Sequence, residues 1–170
     1  MSAPQTQLLY TRLPSPIGEL LLVGDGSTLH RLHMLQAPRP TAINAVWRRQ
    51  PRAFAESERQ LKEYFAGRRT EFDLPLTMHG TPFQRSVWSA LCEIGYGQTA
   101  SYGQIANRVG QPDAARAVGI ANARNPISII VPCHRVIGAD GSLTGYGGGL
   151  ERKRYLLELE QASIQPRLDI

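Results

Sequence analysis

Between Ser101 and Ala123 the chain reads as a helix, a short glycine-containing turn and a second helix, and no other stretch narrows the available folds as much. Ser101 to Val109 carries the first helix, Gly110-Gln111-Pro112 breaks it, and Asp113 stands where a side chain should cap a helix running to about Ala123. This is the order of a helix-turn-helix. The second helix is nearly bare, with Ala114, Ala115, Ala117, Gly119 and Ala121 along it and Arg116 as the one long side chain of its first turns. Such a helix can lie very close to another surface. The alanines either serve tight packing inside the protein, leaving Arg116 solvated, or they face a narrow ligand such as a nucleic acid. The formal charge of +5, carried by arginine everywhere except Lys62 and Lys153, fits a polyanion partner without requiring one.

The remaining elements fall on either side of a break. From Leu8 to Leu35, apolar stretches alternate with the Pro14-Ser15-Pro16-Ile17-Gly18 and Gly24-Asp25-Gly26 turns, which predicts a β-meander. Phe54, Ser57, Leu61, Tyr64 and Phe65 are spaced for a helix that ends at Gly67 and covers the sheet. Thr70 to Gly80 reads as a linker, and a boundary near residue 78 divides the chain into an N-terminal unit, 1–78, and a C-terminal unit, 79–170. Thr81-Pro82 opens the next helix, whose core face is Phe83, Val87 and Leu91 and whose end is Gly95-Tyr96-Gly97. Cys92, one turn after Trp88, is expected as a small apolar thiol inside a core. The class is α+β. At 170 residues with 42% hydrophobic content, the chain can bury a full core, and it has neither a membrane-length apolar run nor the regions of a signal peptide. It is expected in the cytoplasm.

Chemistry concentrates at Pro132-Cys133-His134-Arg135-Val136, directly after the apolar run Ile127 to Val131. A thiol attacks as thiolate, and a neighbouring imidazole is one of the few ways to generate thiolate at neutral pH, so Cys133 is the candidate nucleophile. Two cysteines are too few for a disulfide framework or a four-cysteine zinc site. His30 and His33 lack an accompanying carboxylate or cysteine, so no metal site is expected there. Gly145-Tyr146-Gly147-Gly148-Gly149 lacks the Gly-Lys-Ser/Thr ending of a phosphate loop and instead suits a pocket wall near Cys133.

Together, Gly80-Thr81-Pro82-Phe83-Gln84, Ser101-Tyr102-Gly103-Gln104, Ala114 to Gly119, Asn125-Pro126, Val131 to Gly138 and Gly145 to Gly149 resemble the methylated-DNA–protein-cysteine methyltransferases, or O6-alkylguanine-DNA alkyltransferases. The likeness is dense from residue 80 to 160. Before that it rests on the Ser15-Pro16-Ile17-Gly18 turn and Tyr64-Phe65-Ala66-Gly67. The resemblance implies a ribonuclease-H-like N-terminal unit and a winged-helix-like C-terminal unit. In this family the bare helix enters the minor groove of double-stranded DNA, with Ala114, Ala115, Arg116, Ala117, Gly119 and Tyr102 at the interface and Arg116 filling the gap of a flipped-out nucleotide. By the same likeness, Cys133 takes the alkyl group from O6-alkylguanine, and from O4-alkylthymine, in one irreversible step. His134 is then the base, acting through a water, Glu160 at the end of a helix from Leu150 orients it, Tyr102 protonates the departing base, and Asn125 ties the recognition helix to the active-site segment. Arg135 is expected in an ion pair that braces the loop. Tyr146, Gly147, Gly148, Ser128 and Val136 form the substrate pocket.

No cofactor, metal or membrane is implied, and the protein is expected to be monomeric when free, with cooperative assembly on DNA left open. The cysteine clusters of regulatory or zinc-holding relatives are absent. Ser128 stands where some relatives carry a proline that stacks on bulky substituents, while Gly148 is expected to leave room for alkyl groups larger than methyl. Two rival readings remain: a lesion-sensing module without chemistry, which the presence of Cys133 opposes, and a cysteine hydrolase, which would turn over.

Overall fold

The structure is a computed structural model that describes residues 6–38 and 40–164. Its N-terminal part is a four-stranded sheet of β1 (Leu9–Leu13), β2 (Leu20–Gly24), β3 (Leu29–Met34) and β4 (Arg48–Arg49), in the order β3-β2-β1-β4. The first three strands form the expected antiparallel meander; β4, which the sequence did not suggest, adds a short parallel edge beside β1. Both turns are built by glycines with positive φ, Gly18 at 100° and Gly26 at 94°. A 3-10 turn, Pro51–Phe54, leads into α1 (Ala55–Phe65), which buries Ser57, Gln60, Leu61 and Tyr64.

The C-terminal part is mostly helical: α2 (Pro82–Leu91), β5 (Ala100–Ser101), α3 (Tyr102–Arg108), α4 (Ala115–Ala123), β6 (Val136–Ile137) and α5 (Leu150–Ile164). Thr81 and Ser101 each close a capping box with the glutamine three residues on, which satisfies the first amide donors of α2 and α3. Gly110, at φ 76°, makes the turn between α3 and α4. Asp113 does not cap α4. The cap position is Ala114, without a side-chain hydrogen bond, because the turn places Asp113 one residue too early. The buried Trp88 indole donates to the Ala121 carbonyl at 2.8 Å and ties α2 to α4. Cys92 is exposed rather than packed in the core, since α2 ends at Leu91 and the cysteine becomes its C-cap.

The stretch expected to be a linker is bonded to the sheet. Leu29 exchanges backbone hydrogen bonds with Pro75 and Thr77 at 2.9 and 3.0 Å, and Leu32 does the same with Pro126 and Ser128 at 2.9 and 3.1 Å. Both segments run parallel along the outer side of β3 and occupy what would otherwise be an open sheet edge. The segment leading to Cys133 is therefore stitched to the N-terminal sheet. Core residues from both parts, including Leu22, Leu32, Leu61, Trp88, Leu91, Ile127 and Leu156, form one cluster. No helix among the described residues is long and apolar enough to cross a membrane.

Candidate active site

The apolar run before Cys133 is neither strand nor helix but a pair of tight turns. The Ile130 amide donates to the Ser128 carbonyl at 2.8 Å across Ile129, whose φ is 73°. That is a γ-turn with positive φ, a strained conformation for a β-branched residue. Two residues on, the Cys133 amide donates to the Val131 carbonyl at 2.8 Å across Pro132, at φ −83° and ψ 64°, which is the relaxed inverse γ-turn. The surrounding core over-determines this path: Ile127, Ile129 and Val131 are all buried. Asn125 adds to it from inside, donating to the Val131 carbonyl at 2.8 Å and accepting from the Ile127 amide at 3.0 Å.

Cys133, His134 and Arg135 form one 3-10 turn and are all buried. Behind the turn lies Glu160, fully buried. Its carboxylate accepts from Tyr64 Oη at 2.6 Å, from Arg135 Nε and Nη2 at 2.8 and 3.2 Å, and from the Gly97 amide at 3.2 Å, and it lies 2.6 Å from His134 Nε2. Burial alone would raise its pKa, but the hydrogen bond from His134 and the hydrogen bond and charge of Arg135 outweigh that and bring it to about 2. The ion pair expected of Arg135 is made, and its partner is Glu160 itself. Glu160 does not end its helix. It sits within α5, one face of which aligns Lys153, Leu156 and Glu160 toward the interior.

Burial pushes the His134 pKa down, against the pull of Glu160. The ring is therefore neutral at pH 7, with Nε2–H donating to Glu160 and Nδ1 left as a buried acceptor that has no partner. Burial raises the Cys133 thiol to about 11, opposed by the Asn125 hydrogen bond and by the charge of Lys153. Lys153, with no exposed surface, donates to the Thr144 and Gly145 carbonyls at 2.6 and 3.4 Å, and burial lowers its pKa to about 8.

Cys133 lines a cavity of about 460 Å³. Asn122, Ala123 and Arg124 bring the end of α4 to its wall, Ser128 and Tyr146 to Gly148 come from the loops, and His33 and Met34 come from β3. Two polar atoms of this wall, Asn122 Oδ1 and the Tyr146 hydroxyl, are buried without a hydrogen-bond partner. Asn122 Nδ2 donates to the Cys133 carbonyl at 3.4 Å, so the amide oxygen is the atom left over.

Of the residues expected in the substrate pocket, Ser128, Tyr146, Gly147 and Gly148 are brought together, and Val136 is not: it pairs with Ala100 in the core. Tyr102 does not line the cavity; its hydroxyl is 3.0 Å from Thr144 Oγ1, and its ring lies against Gly119. Gly148 leaves no room either. A Cβ built there would lie 2.2 Å from the Met34 sulfur, so the N-terminal sheet already fills the space. Arg116 and Ala117 are exposed on α4, Ala114, Ala115 and Gly119 half-buried, and Ile120, 54% exposed, shares the open side. His30 does have a carboxylate partner, Asp25 at 3.1 Å, and its ring lies 5.1 Å from that of His79. Among the described residues, however, no group of three metal-ligating side chains forms.

Sequence reasoning missed Asn122, Lys153, Tyr64 and Met34. The spacing of Lys153, Leu156 and Glu160 on one helix face could have signalled the buried lysine; Tyr64 and Met34 come from distant chain and carried no such signal.

These features define a class: an α+β protein in which a helix-turn-helix ends at a cavity walled by a buried thiol, with an imidazole and a carboxylate behind it. Residues 82–162 match the family described as 6-O-methylguanine DNA methyltransferase, DNA binding domain, and residues 8–78 match its ribonuclease-like domain. A methylated-DNA–protein-cysteine methyltransferase of Mycobacterium tuberculosis is 57% identical over 154 residues, covering 90% of this chain and 92% of that one. The crystal structure of the Mycobacterium tuberculosis O6-methylguanine methyltransferase superposes with a TM-score of 0.88 at 53% identity, over 95% of this chain and 98% of that one. The structure of Mycobacterium tuberculosis OGT in complex with DNA gives 0.85 at 56% identity, over 91% and 94%. The chain belongs to the methylated-DNA–protein-cysteine methyltransferase family.

Proposed function

We propose that this protein repairs DNA directly, moving the alkyl group of O6-alkylguanine onto its own Cys133 in a single irreversible step. The observation that carries the reading is the position of Cys133 in the wall of a cavity shared with the end of α4, with His134 and Glu160 behind it. DNA is the partner, as the match to the family's DNA-binding domain implies. α4 would lie in the minor groove of a duplex, where small side chains permit close approach and Arg116 fills the gap left by the flipped nucleotide. The extruded base then enters the cavity next to Arg124 and Asn122.

The proton of the thiol passes to His134 Nδ1, through a water, because neighbouring side chains on one turn do not face each other. Sulfur then attacks the alkyl carbon in line with the C–O6 bond. That bond breaks, its electron pair leaves with the guanine, and Tyr102 would supply the proton that neutralises the base. Glu160 keeps Nε2 protonated and so keeps Nδ1 the acceptor. Asn125 holds the segment that carries the thiol, and Lys153 supplies a nearby positive charge that favours thiolate. The product is a thioether, which offers water no reasonable leaving group, so each molecule acts once.

The test is intact-protein mass spectrometry with peptide mapping after mixing with a duplex containing one O6-methylguanine. One methyl group on Cys133, saturating at one per protein, is the expected result, with no addition in Cys133→Ala. A protein that binds the duplex and remains unmodified would be a lesion sensor, and repeated turnover on an ester would make it a hydrolase.

A further inference from the structure

Met34 is the last core-facing residue of β3, paired with Leu20 and only 3% exposed. Its side chain does not end in the sheet's own core. It reaches the cavity wall that holds Cys133, and its sulfur occupies the place a side chain at residue 148 would take. Tyr146 closes the same corner, with a ring carbon 3.0 Å from that position. Gly148 therefore makes space for a thioether from the other end of the chain, whereas Gly145 and Gly147 face open space. His33 precedes Met34 in the wall, and Ala37 and Pro38 continue it after the strand ends.

We propose that Met34 sets the largest alkyl group that Cys133 can accept, making the N-terminal sheet a selector of substrate. The inference rests on the alkyl-transfer reading above. Methionine is unbranched and has three rotatable bonds, so it can pack closely around a small group and swing aside for a larger one. A β-branched side chain of similar size is fixed at its first torsion and cannot do this. Changes at residue 34 should thus move the transfer of longer chains more than the transfer of methyl.

The experiment compares single-turnover rates on duplexes carrying O6-methylguanine or O6-butylguanine, read as mass added to Cys133. Met34→Ala is expected to raise the butyl-to-methyl rate ratio about tenfold, the scale on which pockets discriminate by a methylene or more. Met34→Ile is expected to lower the ratio by a similar factor. Gly148→Ala should lower it too, and adding Met34→Ala to that variant should restore it, since the two positions compete for one space. If Met34→Ala does not fold, Met34→Ile and the volume-conserving Met34→Leu still carry the test through the butyl arm. A ratio equal to that of the parent in the folded variants overturns the inference while leaving direct repair intact. A parent protein that takes no methyl group at all overturns both.

Discussion

The turn Cys133–Arg135 has two unlike sides. Behind it Glu160 binds Tyr64, His134, Arg135 and the Gly97 amide within one buried cluster, where the Tyr96 hydroxyl, on the ring beneath Arg135, is the atom without a partner. In front, Asn122 Oδ1 and the Tyr146 hydroxyl are buried in the cavity wall without partners, and His134 Nδ1 is a further buried atom of the turn that has none. Unpaired buried polar groups cost free energy, about 1–3 kcal/mol each, and native proteins keep few of them. Here two of the four such side-chain atoms among the described residues, those of Asn122 and Tyr146, belong to the wall of the cavity that the thiol lines. The back of the turn holds geometry, and the front keeps binding capacity in reserve.

Removing the hub of the buried cluster should have the largest effect. Glu160→Ala leaves the Arg135 charge buried without compensation and is expected to cost about 3–5 kcal/mol in a urea unfolding titration. A loss below about 1 kcal/mol would mean the cluster is not what fixes the turn.

Acid should attack the same side. The folded pKa of Glu160, about 2, lies below its ordinary 4.5, so its contribution is complete above pH 4.5 and is lost as pH falls through about 2. A shift of this size corresponds to a loss on the order of 3 kcal/mol. His134 acts in the same sense. Its depressed pKa makes protonation costly in the folded state, so stability falls as pH drops below 6.5. With neutral His134 as the proposed base, alkyl transfer should decline in acid, where the imidazole protonates, and should fall off above about pH 8, where Lys153 loses the charge that favours thiolate. A rate that climbs tenfold per pH unit would instead indicate free thiolate, given a thiol near 11.

Tyr64→Phe removes one hydrogen bond to a charged acceptor and is expected to cost about 2 kcal/mol, measured as a shift in the urea midpoint. The smallest stability change is expected on the open side. Asn122→Ala deletes an acceptor that has no partner and one long donor bond, 3.4 Å to the Cys133 carbonyl, so stability should move by about 1 kcal/mol while transfer from O6-methylguanine slows at least tenfold. If stability and rate fell together at Asn122, the contrast between the two sides would collapse.

Much of the site was legible in the chain. Cys133, His134 and Arg135 are contiguous, and the helix-turn-helix before them depends on local signals: capping Ser101, Gly110 and a run of small residues. Reading failed where position depends on register or helix length. Asp113 looked like a cap, and the turn shifted the cap to Ala114. Gly148 looked like empty space, and Met34 fills it from over a hundred residues away. Val136 was drawn into the core by β-pairing with Ala100. Glu160 was named by family likeness, yet its binding to Tyr64 and Arg135 follows from the packing of α1 and α5 around the turn.

The sequence by itself determined the order of the meander and the helices, the α+β class, the candidate nucleophile and the bare helix that precedes it, because turn chemistry, capping and periodicity act over a few residues. Only the tertiary structure decided which atoms remain unpaired, how the thiol and imidazole are tuned, and how wide the cavity is. Those properties arise from desolvation and contact between segments far apart in the chain. Burial that raises Cys133, lowers His134 and aims Met34 at the cavity exists only once β3, α4 and α5 close around a single turn.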